Sequence, residues 1–214
     1  ARLHAGEQLL STFDVDRIAN EALLFQTGYL TLHEVRQPIL GQWVYTLGYP
    51  NLEVQSALNA SLLPGMGLDA SVAFQQRLRL IELLQARDVA GMRDLFHAFF
   101  ASIPHDWYRS NPIAQYEGFY ASIFYSHFAA LGLDTVVEDA TNKGRIDMAL
   151  RFEGHTYLFE FKVVELAPQG KALQQLQDRG YAEKYRADGP VHLIGVEFSK
   201  EERNIVAFDT LTLA

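Results

Sequence analysis

Residues 144 to 164 read GRIDMALRFEGHTYLFEFKVV, and this stretch decides the fold. Two apolar runs of strand length flank the dipeptide Glu153-Gly154. Strands that are separated by a two-residue turn of this composition form a β-hairpin. The turn pairs Phe152 with His155, and all other cross-strand pairs follow from that register. The stretch therefore predicts an antiparallel hairpin with a fixed register.

This register brings charged side chains together. Asp147 falls opposite Glu160, with Cβ atoms roughly 5 Å apart. Period-two alternation puts Lys162 on the same face, whereas Phe159 and Phe161 point to the other side. The second strand is so apolar that we expect it at the centre of a sheet, where ionised groups are costly unless paired or bound to a cation. Two interpretations remain: a divalent cation between the carboxylates, or a structural ion pair.

The hairpin residues resemble the PD-(D/E)XK nuclease superfamily, whose core motif is an acid on one strand and Glu-X-Lys on the next. The matching segments here are Gly144-Arg-Ile-Asp147 and Glu160-Phe-Lys162. The resemblance extends to Tyr116-Glu-Gly-Phe-Tyr120 upstream, and to residues 175–185 and 194–198 downstream. Together these segments are far more specific than the short core motif alone.

The chain is similar to a bacterial subgroup of this superfamily in which the nuclease domain follows an AAA-ATPase-like domain. Residues 25–30 (FQTGYL) and 49–54 (YPNLEV) resemble the tail of that ATPase-like part. No Gly-X4-Gly-Lys-Ser/Thr loop occurs in the sequence, so these residues offer no phosphate cradle for ATP. Either the chain is a fragment of a longer protein or ATP is irrelevant to it.

The resemblance implies a role for each residue of the core motif. Asp147 and Glu160 would hold Mg²⁺ or Mn²⁺, and the backbone carbonyl of Phe161 would add a further ligand. Lys162 would orient or activate the attacking water. These roles agree with general chemistry, because a divalent ion lowers the pKa of water and offsets charge on phosphoryl oxygens.

Three further residues have candidate roles by the same resemblance. Glu117 would be an outer acid of the metal site, although a carboxylate at the start of a helix is also stabilised by the helix dipole. Gln175 and Tyr181 would face the site from the helix that follows the lysine strand, although both could be ordinary helix surface. Among exposed cations, Lys143 and Arg145 could touch a nucleic-acid backbone.

The aromatic cluster and the histidines point less clearly to a function. An aromatic cluster at Trp107, Tyr108 and Tyr116 could stack bases, but core packing or helix anchoring is the competing interpretation. The histidines show no metal-ligand spacing, and none is assigned to a metal.

Composition narrows the class of protein. The 214 residues contain no cysteine, so a bound metal must rest mainly on oxygen ligands, which favours Mg²⁺ or Mn²⁺. No apolar run is long enough to cross a bilayer and no secretion signal is recognisable, so we expect a cytoplasmic protein without a membrane partner. The net charge of −8 argues weakly against a strongly basic nucleic-acid binder.

Three segments are predicted: a winged-helix-like segment at 1–65, a helical connector at 66–104 and a nuclease domain at 105–214. Residues 63–68, which contain Pro and Gly, form a linker around the first of these boundaries. The predicted N-terminal elements are a helix at 18–25, strands at 29–35 and 43–47 around a turn at 37–41, and a helix from Leu52 capped by Asn51. Two connector helices span 72–103. A long helix from Pro112, three strands, a helix at 172–185 and strands at 191–198 and 204–208 complete the chain.

The predicted fold is α/β in its nuclease part and α+β overall, with a mixed central sheet flanked by helices in a restriction-endonuclease-like arrangement. The predicted function is metal-dependent hydrolysis of nucleic acid, DNA rather than RNA. The alternative is a catalytically silent module of the same fold that binds nucleic acid or a protein. The N-terminal segment would bind a partner protein or a second copy of the chain.

Overall fold

The computed structural model describes residues 3–6, 18–65, 69–103, 116–141 and 144–213. The chain divides into two compact units, Ala1–Ser61 and Leu62–Ala214. Each unit has its own apolar core.

The first unit contains a three-stranded antiparallel sheet in the order β1-β3-β2. Its elements are β1 (Leu3–Ala5), α1 (Asn20–Gln26), β2 (Thr31–Ile39) and β3 (Gln42–Gly48), followed by α2 (Leu52–Gly65), which runs past the boundary of the unit. Ala22, Leu30 and Leu47 form the buried centre.

The predicted order of helix, hairpin and helix is present in this unit, but the strand β1 before it was not predicted and the boundaries of the elements shift, most clearly at the hairpin turn and at the end of α2. The β-hairpin turn is shorter than the predicted 37–41, because β2 continues to Ile39 and Gly41 takes a positive φ of 84° at the tip. Helix α2 continues through Pro64 into the predicted linker, of which residues 66–68 lie outside the described part. The predicted cap is confirmed, because the Asn51 side chain accepts the Val54 N–H at 2.9 Å.

The second unit combines helices with a five-stranded sheet in the order β4-β5-β6-β7-β8. The helices are α3 (Ala70–Ala86), α4 (Val89–Ser102), α5 (Glu117–Ala130) and α6 (Lys171–Asp178), with 3₁₀ turns at Tyr181–Lys184 and Arg186–Asp188. The strands are β4 (Asp134–Thr141), β5 (Gly144–Phe152), β6 (His155–Val164), β7 (Val191–Ser199) and β8 (Asn204–Leu213). None of the helices in the described ranges is long and apolar enough to cross a membrane.

The mixed sheet was predicted correctly: β6 and β7 are parallel, and the other neighbouring pairs are antiparallel. The predicted hairpin register is also confirmed, since Phe152 pairs with His155 and the ladder continues to Met148 and Phe159. Glu153 and Gly154 both have positive φ, as a two-residue hairpin turn that follows strand twist requires. Two helices were predicted too long. Helix α6 ends at Asp178, and Gly180, with φ 58°, separates it from the 3₁₀ turns. Helix α5 begins at Glu117 and not at the predicted Pro112, because the backbone of Tyr116 is extended.

Helices α3, α4 and α5 share one large core with the sheet, so the predicted connector helices are part of the second unit's core. The Phe96 ring of α4 stacks on Phe124 of α5, with ring centroids 3.7 Å apart. Phe124 in turn contacts Phe159 and Phe161 of β6. The face of β6 that carries these phenylalanines is therefore fixed by aromatic packing.

His127 lies fully buried in this aromatic core, edge-on to Phe96 and Phe99. Its Nδ1 lies 2.8 Å from the Ile123 carbonyl oxygen, which can only accept, so Nδ1 carries the proton. Burial lowers the pKa of His127 to about 4, so the ring is neutral at physiological pH.

We expect His127 to make the protein less stable in acid. Because the folded-state pKa lies below the unfolded value, the unfolded chain binds the proton first, and stability falls as the pH drops from 6.5 towards 4, by up to about 3 kcal/mol. Denaturant unfolding of the parent and of His127→Leu across this range should show a smaller loss in the variant. His97→Gln, at an exposed histidine of α4, is the control. Equal losses in parent and His127→Leu would contradict the assignment.

Candidate active site

The site begins where the β5–β6 ladder ends. The last paired residues are Met148 and Phe159, and one residue further along the Asp147 carboxylate accepts the Phe161 N–H at 2.8 Å. Asp147 therefore lies beside the Glu160 segment, as the register predicts, but its side chain binds the neighbouring backbone. Burial raises the pKa of Asp147, although this hydrogen bond and Lys162 oppose the shift.

Glu160 is the most buried carboxylate of the predicted set, with 1% of its surface exposed. Its Oε1 accepts hydrogen bonds from Lys162 Nζ, at 3.1 Å, and from Gln175 Nε2. Its Oε2 is buried and accepts no hydrogen bond from any residue that the structure describes. Burial raises the pKa of Glu160 to about 7, and repulsion by Asp147 adds to the shift while Lys162 opposes it.

Lys162 connects two acids from different elements. Its Nζ lies 3.1 Å from Glu160 and 3.6 Å from Oε2 of Glu117, the first residue of α5. Burial works against the charged amine, but Glu160, Glu117 and Asp147 outweigh it and raise the pKa of Lys162 above its ordinary value. Lys162 is therefore an ammonium ion at neutral pH. Glu117 is consistent with both interpretations of its role, an outer acid of the site and an acid stabilised by the helix dipole. It lies in the first turn of α5 and also pairs with Lys162.

Gln175 and Tyr181 differ in position. Gln175 reaches the site from α6 and donates to Glu160. Tyr181 is 2% exposed and packs in a second apolar cluster with Ile146 and Leu176. Its hydroxyl lies against Gly144, where an added Cβ would be 2.6 Å from it. Tyr181 thus supports the start of β5, the strand that carries Asp147.

Arg145 and Lys143 flank the site and were predicted to touch a nucleic-acid backbone. Arg145 is exposed and pairs with Glu138 at 3.1 Å, and Lys143 lies outside the described residues. Of the aromatic residues considered for base stacking, Trp107 and Tyr108 also lie outside the described ranges. Tyr116 is 62% exposed, so core packing does not account for it.

A groove of about 520 Å³ opens beside Asp147. It runs between α5 and the β4–β5 pair and has a partly acidic lining: Glu117, Gly118, Ala121, Ser122, Tyr125, Val137, Glu138 and Asp147. Within the described ranges, no group of three or more His, Asp or Glu side chains is arranged as a ready-made metal site. Any cation here would depend on Asp147, Glu160 and backbone oxygen.

Sequence reasoning assigned no role to Glu197 of β7, which is fully buried next to Lys162 in the parallel register. Its carboxylate accepts the backbone N–H groups of Gln169 (2.5 Å), Lys171 (2.6 Å) and Ala172 (3.3 Å) at the start of α6. The sequence does contain a signal for Glu197, because it is the only acid in residues 191–198, which are apolar apart from it and His192.

Residues 115–208 match the sequence model of the PD-(D/E)XK nuclease superfamily. The matched segment contains the two acids of the hairpin, the lysine and Glu197. Over 205 residues the chain is also 60% identical to a protein of Azotobacter chroococcum mcd 1 described as "Uncharacterized protein in vnfD 5'region". That alignment covers 95% of this chain and 40% of the relative, so the chain spans about two fifths of the relative's length.

We expect Glu160→Gln to stabilise the metal-free protein at pH 8. Because the folded-state pKa of Glu160 lies above the unfolded value, the parent loses stability as pH rises from 4.5 through 7, by up to about 3 kcal/mol. A neutral amide removes that loss, so the variant's advantage should shrink as the pH falls to 4.5.

Chemical denaturation in EDTA at several pH values measures this difference. Glu201→Gln, at an exposed position, should follow the parent throughout. A Glu160→Gln variant that is less stable than the parent at pH 8 would show that ionised Glu160 is a stabilising ion-pair member.

Proposed function

We propose that this chain hydrolyses phosphodiester bonds of nucleic acid, with a divalent cation held by Asp147, Glu160 and the carbonyl oxygen of Phe161. The observation that carries the proposal is Glu160 Oε2, a buried carboxylate oxygen without a described hydrogen-bond partner. Such an atom is costly to bury, and a cation would satisfy it. The match of residues 115–208 to the PD-(D/E)XK superfamily supports the same assignment.

The donor set suits a hard cation. Burial raises the pKa of both Asp147 and Glu160, and repulsion by Asp147 adds to the shift of Glu160, so a dication bound by the two carboxylates would offset the cost of their negative charge. Carboxylate and carbonyl oxygens favour Mg²⁺ or Mn²⁺, and the chain has no cysteine to favour a softer metal. A divalent cation bound there would polarise the scissile phosphate and lower the pKa of the attacking water.

The chain's own residues divide the remaining tasks. Gln175 donates to Oε1 of Glu160, which leaves Oε2 as the oxygen available to a cation. Lys162 is protonated and is held between Glu160 and Glu117, so its ammonium can orient water and stabilise negative charge that develops on the phosphate. Arginine would replace it poorly, because a planar fork does not act as a compact point charge.

We propose DNA as the substrate because the motif segments resemble those of the PD-(D/E)XK nuclease superfamily. The partly acidic groove and the net charge of −8 offer few phosphate contacts, so the cation itself would bridge protein and phosphate. For the first unit we propose a winged-helix-like role in binding substrate, a partner protein or a second copy of the chain. The likeness of residues 25–30 and 49–54 to the tail of an ATPase-like domain is part of this proposal.

We expect cleavage to require Mg²⁺ or Mn²⁺, and Asp147→Ala and Glu160→Ala to lose it by about a hundredfold or more while remaining folded. Supercoiled, linear and single-stranded DNA, together with RNA, should be incubated with the purified protein in Mg²⁺, Mn²⁺ or EDTA. Asp178→Ala and Glu201→Ala remove exposed acids of the same types and should cleave like the parent.

Two outcomes would contradict this function. If both site variants still cleave, the activity belongs to another site of the protein or to a contaminant. A parent that binds nucleic acid with every cation but never cleaves it would instead establish a silent binding module.

We expect Lys162→Met to keep the metal and lose most of the rate. Methionine matches the apolar stem of lysine but lacks the ammonium, a loss of about 3 kcal/mol in transition-state stabilisation, or on the order of a hundredfold in rate. Calorimetric metal titration and single-turnover cleavage should separate affinity from rate. An unchanged rate would remove Lys162 from the chemistry and leave it as a counter-charge for Glu160.

A further inference from the structure

Glu197 holds the start of α6 from a neighbouring strand. The residue that precedes α6 is Gly170, which has no side chain to cap the helix. The Glu197 carboxylate reaches across from β7 and accepts the N–H groups of Gln169, Lys171 and Ala172. Helix N-termini leave such N–H groups without intrahelical partners, and a carboxylate satisfies them best.

The contact between α6 and β7 leaves little room for adjustment. A Cβ added at Gly195, two residues before Glu197, would lie 2.2 Å from the Leu173 nitrogen. Only glycine permits this approach of helix to strand. The first turn of α6 is thus fixed both by a close backbone approach and by a buried carboxylate.

Gln175 lies on the next turn of α6, and its amide donates to Oε1 of Glu160. Glu160 and Lys162 lie on β6 directly beside Gly195 and Glu197 in the parallel register. The same pair of strands therefore carries the reactive side chains and the anchor of the helix that contacts them.

We infer that Glu197 is a positioning residue: by fixing the first turn of α6 it places Gln175 on Oε1 of Glu160 and so presents Oε2 to the cation. The inference rests on the proposed function for its catalytic consequence. It gives a buried acid outside the Asp-Glu-Lys motif a defined task. Glu197 acts only through Gln175 and touches neither substrate nor cation.

A double-mutant cycle on the full chain tests this inference. Glu197→Gln keeps the shape of the side chain but only one acceptor oxygen, so an NH₂ group must face either the Gln169 N–H or the N–H groups of Lys171 and Ala172. At least one of these three amides should therefore exchange faster with deuterium. Loss of an outer partner of a ligand typically costs about tenfold to a hundredfold in metal affinity or rate. We expect Glu197→Gln to cost about tenfold in Mn²⁺ affinity and single-turnover rate, and to cost little more in a Gln175→Ala background.

Glu201→Gln is the matched control and should change none of these quantities. A Glu197→Gln loss of the same size with and without Gln175 would overturn the inference, because Glu197 would then act independently of Gln175. Unchanged exchange, affinity and rate in Glu197→Gln would overturn it as well. If the parent never cleaves, the proposed function fails by itself. Calorimetry with Mn²⁺ then tests the positioning role by itself. Glu197→Gln should still lower Mn²⁺ affinity in the parent and cost little more in the Gln175→Ala background.

Discussion

The candidate site of the second unit is built around one buried carboxylate, that of Glu160, in the central strand of the sheet. An ionised acid in such a position is tolerated only when its oxygens are paired. Lys162 and Gln175 pair one oxygen, and the other is left without a described partner beside Asp147. This burial raises the pKa of Glu160 to about 7, and in the function proposed above a divalent cation would stabilise its ionised form.

The two faces of β6 have separate tasks. On one face, Phe159 and Phe161 pack against aromatic side chains of α5, which in turn contact Phe96 of α4, and this packing fixes the strand in the core. On the other face, Glu160 and Lys162 meet groups from α5, α6 and β5. Because residues alternate between faces, rigid packing of the phenylalanines also holds the charged residues in place.

The hairpin and the residues that it brings together could be predicted from local sequence patterns. A two-residue turn and period-two alternation were enough for the hairpin register, and with it the proximity of Asp147 and Glu160. The remaining features depend on contacts between distant parts of the chain. The role of Glu197 required the distance between β7 and α6, and the place of α3 and α4 in the core required the packing of Phe96 on Phe124. The packing of Tyr181 against Gly144 and Ile146 is a tertiary contact that helical spacing does not reveal, and its place at the site stays a prediction.

The most direct test of the proposed cation site is anomalous diffraction from crystals of the parent protein soaked in Mn²⁺. We expect a peak in contact with Glu160 Oε2, the Asp147 carboxylate and the carbonyl oxygen of Phe161, with Gln175 still bound to Oε1. A fully bound Mn²⁺ elsewhere in the chain, or an empty site at saturating Mn²⁺ with Glu160 still paired to Lys162, would contradict it.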